Sequence, residues 1–315
     1  MICNKQYVVY SRFISFSCLL ITCYVALLSG CATQSSAMQM NNQGLRNWHD
    51  GRYDTAEENL QQALKQARKD LGPTHFGVGI ILSNLGLVYT DQGRYAEAID
   101  VFQQADPILK RKYGNHNPTY AKSLNNYAYA LLRNGSLKEA KEKYEQSLST
   151  YEAAGTPEAD TAATINGLST AYRDGGDLVQ AESLANRAFR LVEFSDHKWV
   201  SKGPILQNLG TIYMEQDFFD KAEEAYIQVL EVREKKLGTS HPDTGYTVWR
   251  LASLYQKEGK NEQAEEQFKR AIAIFERRLP EGHPDTKQLV GQYAEVLRSA
   301  GRSDEASELT QQYAQ

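Results

Sequence analysis

From residue 32 to its end the chain has no cysteine. All four, Cys3, Cys18, Cys23 and Cys31, fall within the first 31 of 315 residues. Disulfide bridges and cysteine-based zinc sites are thereby excluded from the body, which an apolar core alone must hold. Proline is almost as scarce, at eight residues. An internal proline removes a helical hydrogen bond and clashes with the preceding turn, so its rarity suits long continuous helix. Positive charge is not in surplus either. Lys5 and Arg12 are two of the 35 basic residues, and residues 1–30 hold no acidic one, so residues 31–315 carry 33 basic against 39 acidic groups and a net −6. Nucleic-acid binders carry a basic footprint, and this chain has none in bulk. Also missing are a glycine-rich phosphate loop, a serine elbow with a matching histidine, and a cysteine nucleophile beyond residue 31. Catalysis has no candidate residue, and no cofactor is expected.

Long apolar runs are absent but for one, the uncharged stretch 13–30, preceded by Lys5 and Arg12 and closed by Ser29 and Gly30. A positive start, an apolar middle and small residues at the end describe an export signal. Its competitor is an uncleaved transmembrane helix, for which 18 residues sit near the lower limit of about 17–25. The order Leu28-Ser29-Gly30-Cys31 resembles the bacterial lipoprotein signal. That resemblance implies a diacylglyceryl group on the Cys31 thiol, cleavage before it and acylation of the new amino terminus. Two or three acyl chains hold a soluble domain on a membrane stably, where one does so only marginally. Ala32 after the cysteine implies transfer to the outer membrane of a Gram-negative cell. The expected organisation is a signal peptide over 1–30, a lipidated cysteine with a polar tether over 31–42, and a repeat domain over 43–315.

The body repeats itself. A small residue follows an apolar one at Gly86, Ala128, Ser169, Gly210, Ala252 and Ala294, at intervals of 42, 41, 41, 42 and 42. Seven residues later stand Gly93, Gly135, Gly176, Gly259 and Gly301, with Asp217 as the exception. Two further on come Tyr95, Leu137, Leu178 and Phe219, then polar Asn261 and Ser303. Ala98, Ala140, Ala181, Ala222, Ala264 and Ala306 follow without a miss. Stepping back 42 residues finds Gly44, Gly51, Tyr53, Ala56 and Ala63. In each copy two apolar stripes at helical spacing flank a glycine suited to the left-handed turn that ends a helix. Leu85, Val88 and Tyr89 make one stripe; Ala98, Phe102 and Ala105 make the other. One hairpin cannot bury both, so neighbours must stack. The expected fold is all-α, an α-solenoid of about seven helix-turn-helix repeats.

The stretches "NLGLVYTDQGRYAEAIDVFQQA", "NLGTIYMEQDFFDKAEEAYIQV" and "RLASLYQKEGKNEQAEEQFKRA" resemble the tetratricopeptide repeat. The period near 42 and connectors such as "LGTSHPDTG" and "LPEGHPDTK" are similar to its kinesin light chain-like variety. The resemblance covers nearly all of residues 43–315 and implies a scaffold that binds protein or peptide in a concave groove lined by first helices. By register those linings are the amides Asn84, Asn125, Asn126, Asn166, Gln207 and Asn208, with Lys122, Tyr129, Arg133, Arg173, Trp249 and Arg250 around them. A carboxamide offers donor and acceptor together, so a ladder of them suits an extended peptide backbone. Arg and Trp are frequent interface anchors. The competing reading of the amides is bonding between helices. Lys122 and Asn126 resemble half of a carboxylate clamp whose other half is missing, since Ala163 and Gly167 stand at the matching places.

Two recurrent features invite chemistry. His75, His116, His241 and His283 repeat in the connectors, but stacked repeats set equivalent atoms about 10 Å apart, too far to share a metal. "HPDT" is read instead as a stop and start between helices: proline suits a first turn, and Asp or Thr caps it. The acidic pairs Glu57-Glu58, Glu223-Glu224 and Glu265-Glu266 are read as a solvated face. The expected function is a non-catalytic, lipid-anchored periplasmic interaction scaffold for envelope assembly, secretion or pilus biogenesis. The alternative is a self-associating solenoid that spaces envelope components, motivated by the ending "SDEASELTQQYAQ", which lacks an extra capping helix.

Overall fold

In the second and fifth hairpins a glycine of the first helix faces a large ring of the second. A Cβ atom placed on Gly86 would stand 2.7 Å from the Phe102 ring, and one on Gly210 would stand 2.7 Å from the ring of Tyr226. Both rings are fully buried. Any side chain at these glycines must displace an aromatic group from a close-packed interior. The computed structural model describes residues 36–155, 158–194 and 199–313, and among these every regular element is helical.

The chain divides into two compact units, residues 1–112 and 113–315. The first pairs α1 (36–49) with α2 (Tyr53–Leu71) and α3 (Phe76–Asp91) with α4 (Tyr95–Tyr113). In the second, α5 (Pro118–Arg133) pairs with α6 (Leu137–Ala154) and α7 (Glu158–Asp174) with α8 (Leu178–Val192). Three more hairpins follow: α9 (Trp199–Glu215) with α10 (Phe219–Leu237), α11 (Pro242–Glu258) with α12 (Asn261–Arg278), and α13 (Pro284–Ser299) with α14 (Ser303–Gln312). Within this unit each hairpin packs on the next, and the first helices α5, α7 and α9 touch in succession, as do α11 and α13. The described residues thus form seven hairpins of an all-α, solenoid-type repeat fold, as the period requires.

The first hairpin begins earlier than the period placed it. α1 opens at residue 36, so 36–42, assigned above to a tether, are helix, with Ala37 and Asn41 buried in it. The reason is local: the small or compact residues Ala37, Asn41 and Gly44 continue the packing face one turn further back. Cys31 and the export signal lie outside the described residues.

The turns follow the glycine rule and its exception together. Gly93 has φ 76° and Gly259 φ 81°, and Asp217 takes the same left-handed form at φ 63°. Aspartate tolerates that region better than most residues. Here the Lys257 ammonium, 2.7 Å from its carboxylate, ties the turn to the following hairpin.

The connectors correct the capping assignment. It is the histidine itself that caps: Nδ1 of His75 accepts from the Gly77 amide at 3.1 Å, and Nδ1 of His241 and His283 accept from Asp243 and Asp285 amides at 3.2 Å. At α5 the cap is Asn117, whose Oδ1 accepts from the Thr119 amide at 2.8 Å, while His116 is exposed. An imidazole acceptor beside a carboxylate in the first turn satisfies an amide that helix geometry leaves open.

The acidic pairs are corrected too. Their second members, Glu58, Glu224 and Glu266, are exposed, but the first members are half-buried bridges between hairpins. Glu57 accepts from Arg94 Nη1 at 2.6 Å, Glu223 from the Tyr255 hydroxyl at 2.6 Å, and Glu265 from Arg302 Nη1 at 2.6 Å and the Tyr293 hydroxyl at 3.0 Å. A second row of bonds runs along the second helices: Arg68 Nη2 to Gln104 Oε1 at 3.0 Å, and the pairs Arg187–Glu152 and Arg270–Glu234.

Two predictions follow from these contacts. Replacing His241→Ala removes one cap and lowers unfolding free energy by about 1 kcal/mol in urea titrations, whereas His241→Asn, which keeps an acceptor, changes it little. Arg302, then Lys269, hold the Glu265 carboxyl down to about 2, against an ordinary 4.5. A depressed carboxylate stabilises the fold above its unfolded pKa, and that contribution disappears as pH falls through the folded value. Urea unfolding of Glu265→Gln therefore has a shallower loss of stability between about pH 4.5 and 2 than the parent.

Candidate peptide-binding face

The first helices present their residues two and three places before the small packing residue along one face. Between neighbouring hairpins these two places meet. Asn84 Nδ2 donates to Asn41 Oδ1 at 2.8 Å within unit 1. Within unit 2, Asn208 Nδ2 donates to Asn166 Oδ1 at 3.1 Å, and Trp249 Nε1 donates to Gln292 Oε1 at 2.5 Å. The amides are therefore first of all a ladder between repeats.

Asn208 is committed most fully. Its second N–H reaches Ser169 Oγ at 3.0 Å, and its Oδ1 accepts from Arg173 Nη1 at 2.8 Å. It is 6% exposed. Arg173 is equally engaged, with Asp174 at 2.7 Å and Glu215 at 3.8 Å. Burial raises the Glu215 pKa, an effect that Arg173 opposes and Asp174 adds to. Trp249 is half-buried, edge-on to Phe275 with centroids 6.1 Å apart and stacked at 6.4 Å on Tyr246. Its indole belongs to the seam between the sixth and seventh hairpins.

Other candidates remain open to a ligand. Lys122 and Arg250 are exposed, Asn126 and Gln207 half-buried, and none of these four side chains makes a hydrogen bond among the described residues. Tyr129 is exposed, and its hydroxyl accepts from Arg133 Nη1 at 3.0 Å. Asn125 is half-buried with its Oδ1 unpartnered. The second-row partners Asn41, Ser169 and Gln292 were missed by the sequence reading. Gln292 was within reach, since it stands 42 residues after Arg250; Asn41 lay behind the boundary drawn at 43. Among the described residues no group of three or more His, Cys, Asp or Glu could hold a metal ion.

The division between committed and open amides is measurable. Asn208→Ala removes one hydrogen bond each from buried Ser169 and half-buried Arg173 and breaks the bond to Asn166, and costs about 1–3 kcal/mol of unfolding free energy. Gln207→Ala, one residue away, stays within about 0.5 kcal/mol of the parent in the same denaturant titration.

Comparison with known proteins agrees with this architecture. The tetratricopeptide repeat family model matches residues 36–111, 119–193, 204–277 and 246–314. Protein KINESIN LIGHT CHAIN-RELATED 1 of Arabidopsis thaliana is 23% identical over 145 residues, which are 45% of this chain and 24% of that relative. The chain thus spans about a quarter of that relative's length. Among solved structures, a putative kinesin light chain from Podospora anserina with nearly identical tetratricopeptide-like repeats superposes with TM-score 0.52 at 24% identity, over 62% of this chain and 93% of that one. A Rap protein complexed with Competence and Sporulation Factor superposes with TM-score 0.64 at 16% identity, over 89% and 74%. With the family model matched along most of its length, the chain belongs to the tetratricopeptide repeat family.

Proposed function

We propose that this protein is a non-catalytic, lipid-anchored scaffold of the bacterial envelope, held at the periplasmic face of the outer membrane through Cys31. In this reading it binds a protein or an extended peptide along its first helices. The observation that carries it is the set of open polar side chains there. Asn126, Gln207 and Arg250 share register positions that elsewhere bond across the seams, and Lys122 stands one turn before Asn126; none of the four makes a hydrogen bond among the described residues. Groups of this kind are energetically free to be satisfied by a partner, and two of them carry positive charge. The supporting likeness is to a Rap protein complexed with Competence and Sporulation Factor, a repeat fold that holds a partner. The anchor is supported by Leu28-Ser29-Gly30-Cys31.

Photo-crosslinking tests the reading in cells. A reactive group at Asn126 or Arg250 gives one discrete adduct, and the same group at exposed Glu224, on the second helix of its hairpin, gives none. Equal adducts at all three positions, or a self-crosslink alone, overturn groove binding. Replacing Cys31→Ser moves the protein from the membrane fraction to the soluble one; membrane retention overturns the anchor.

A further inference from the structure

Unit 1 carries its charge at opposite edges. At the turn edge, residues 46–58 and 91–100 hold seven acidic and three basic groups. At the other edge, where α2 and α4 end, residues 65–75 and 106–112 hold six basic and two acidic ones. With His75 neutral, the first edge is net −4 and the second net +4. The two lie far apart, since α2 and α4 each run 19 residues, about 28 Å at 1.5 Å per residue. Salt screens exposed charges beyond about 8–10 Å, so a surface laid against the basic edge feels little of the acidic one.

The six cations, Lys65, Arg68, Lys69, Lys110, Arg111 and Lys112, are all exposed, and none forms an ion pair among the described residues. Arg68 donates to Gln104 Oε1 at 3.0 Å, Arg111 donates to the Thr74 carbonyl oxygen at 2.6 Å, and the Lys112 ammonium sits 4.9 Å from the Phe76 ring centre. These contacts orient the side chains without neutralising them. Both nearby acids are half-buried and engaged, Asp70 by Gln66 Nε2 at 2.5 Å. The helix dipole favours cations in a last turn. It does not require this excess: α6 has no basic residue in its last turn, and at the end of α10 Glu231 and Glu234 offset two of Arg233, Lys235 and Lys236.

The chain from Cys31 enters at the same edge. Gly44 of α1 packs on Leu60 of α2, so antiparallel register sets residue 36 level with Arg68. α1 and α3 run side by side in one direction, with Asn41 bonded to Asn84 and Trp48 to Asp91, and α3 starts beside Lys112. Residue 36 comes five residues after Cys31. Five steps of chain span at most about 18 Å. Acyl chains on Cys31 would therefore hold the basic edge, rather than the acidic one, within that reach of a bilayer.

We infer that the edge formed by the ends of α2 and α4 docks on an anionic phospholipid surface, its lysines and arginines meeting the lipid phosphates. The inference rests on the Cys31 anchor proposed above and adds an orientation to it: unit 1 stands with its turns away from the membrane. Each cation near such a surface is worth about fivefold in binding. The anchor supplies the local concentration that lets these modest contacts act together.

The full chain, purified from membranes, is added to vesicles of phosphatidylcholine alone or with about one-quarter phosphatidylglycerol. Its lysines are acylated by a water-soluble reagent and read by mass spectrometry. Lys65, Lys69 and Lys110 label about 5-fold more slowly or less on the anionic vesicles, Lys235 and Lys236 label alike on both, and high salt removes the difference. Arg68→Gln with Lys112→Gln returns the three lysines to within about twofold of their rate on neutral vesicles, whereas Lys235→Gln with Lys236→Gln leaves their protection in place. Equal labelling on the two kinds of vesicle, or equal slowing at Lys235 and Lys236, overturns docking by this edge and leaves the cations as complements to their helix ends. The acyl group is read separately, from the mass of the peptide that begins at Cys31. Acylated Cys31 with unprotected lysines keeps the anchor and sinks the docking. Protected lysines on a chain without an acyl group keep the docking and sink the anchor.

Discussion

The close approach of two helices inside each hairpin is the contact on which everything else depends. Where a glycine faces Phe102 or Tyr226, the missing Cβ is what lets the axes come near enough for the second helix to bury its ring. That contact fixes the rotation of both helices. The rotation decides which first-helix residues reach the neighbouring hairpin and which remain at the surface. Seam bonds and open polar groups are therefore two outputs of one packing decision.

The seams show how a repeat array gains directional bonds in addition to apolar burial. Hydrophobic contact is proportional to area and insensitive to direction, so by itself it leaves register loosely set. The Glu57–Arg94, Glu223–Tyr255 and Glu265–Arg302 contacts supply direction at the turn side. The asparagine ladder supplies it on the first-helix face, and Arg187–Glu152 and Arg270–Glu234 supply it along the second helices. Each bond is modest, but a stack whose stability sums nearest-neighbour terms adds up whatever each seam carries.

Legibility in the sequence followed the same physics. The hairpins, their number and their turns could be read because small residues and glycines recur at a fixed interval, and a period survives substitution elsewhere. Asp217 broke the glycine pattern without breaking the turn, since backbone conformation was being read through a residue type that is only usually required. The histidine caps were placed in the right segment but on the wrong atoms, because a capping acceptor is defined by geometry that a tetrapeptide does not contain. The candidate binding face was half legible. Register placed the candidates on first helices, but whether an asparagine there pairs with its neighbour depends on the residue about 42 positions away. At Asn125 that residue is Gly167, and no single-repeat motif carries the information.

The seam between the third and fourth hairpins is held unequally across its width. Its second-helix edge keeps the Arg187–Glu152 ion pair, and at its turn side the Lys141 ammonium sits 4.1 Å from the Tyr172 ring centre. Its first-helix edge, at Asn125 and Gly167, has no amide bond. A joint fastened along one edge and merely in contact along the other has a defined spacing and a free angle. The seam between the fifth and sixth hairpins is alike on this edge, since Gln207 and Arg250 make no hydrogen bond among the described residues, so bonded and unbonded first-helix edges alternate along the second unit.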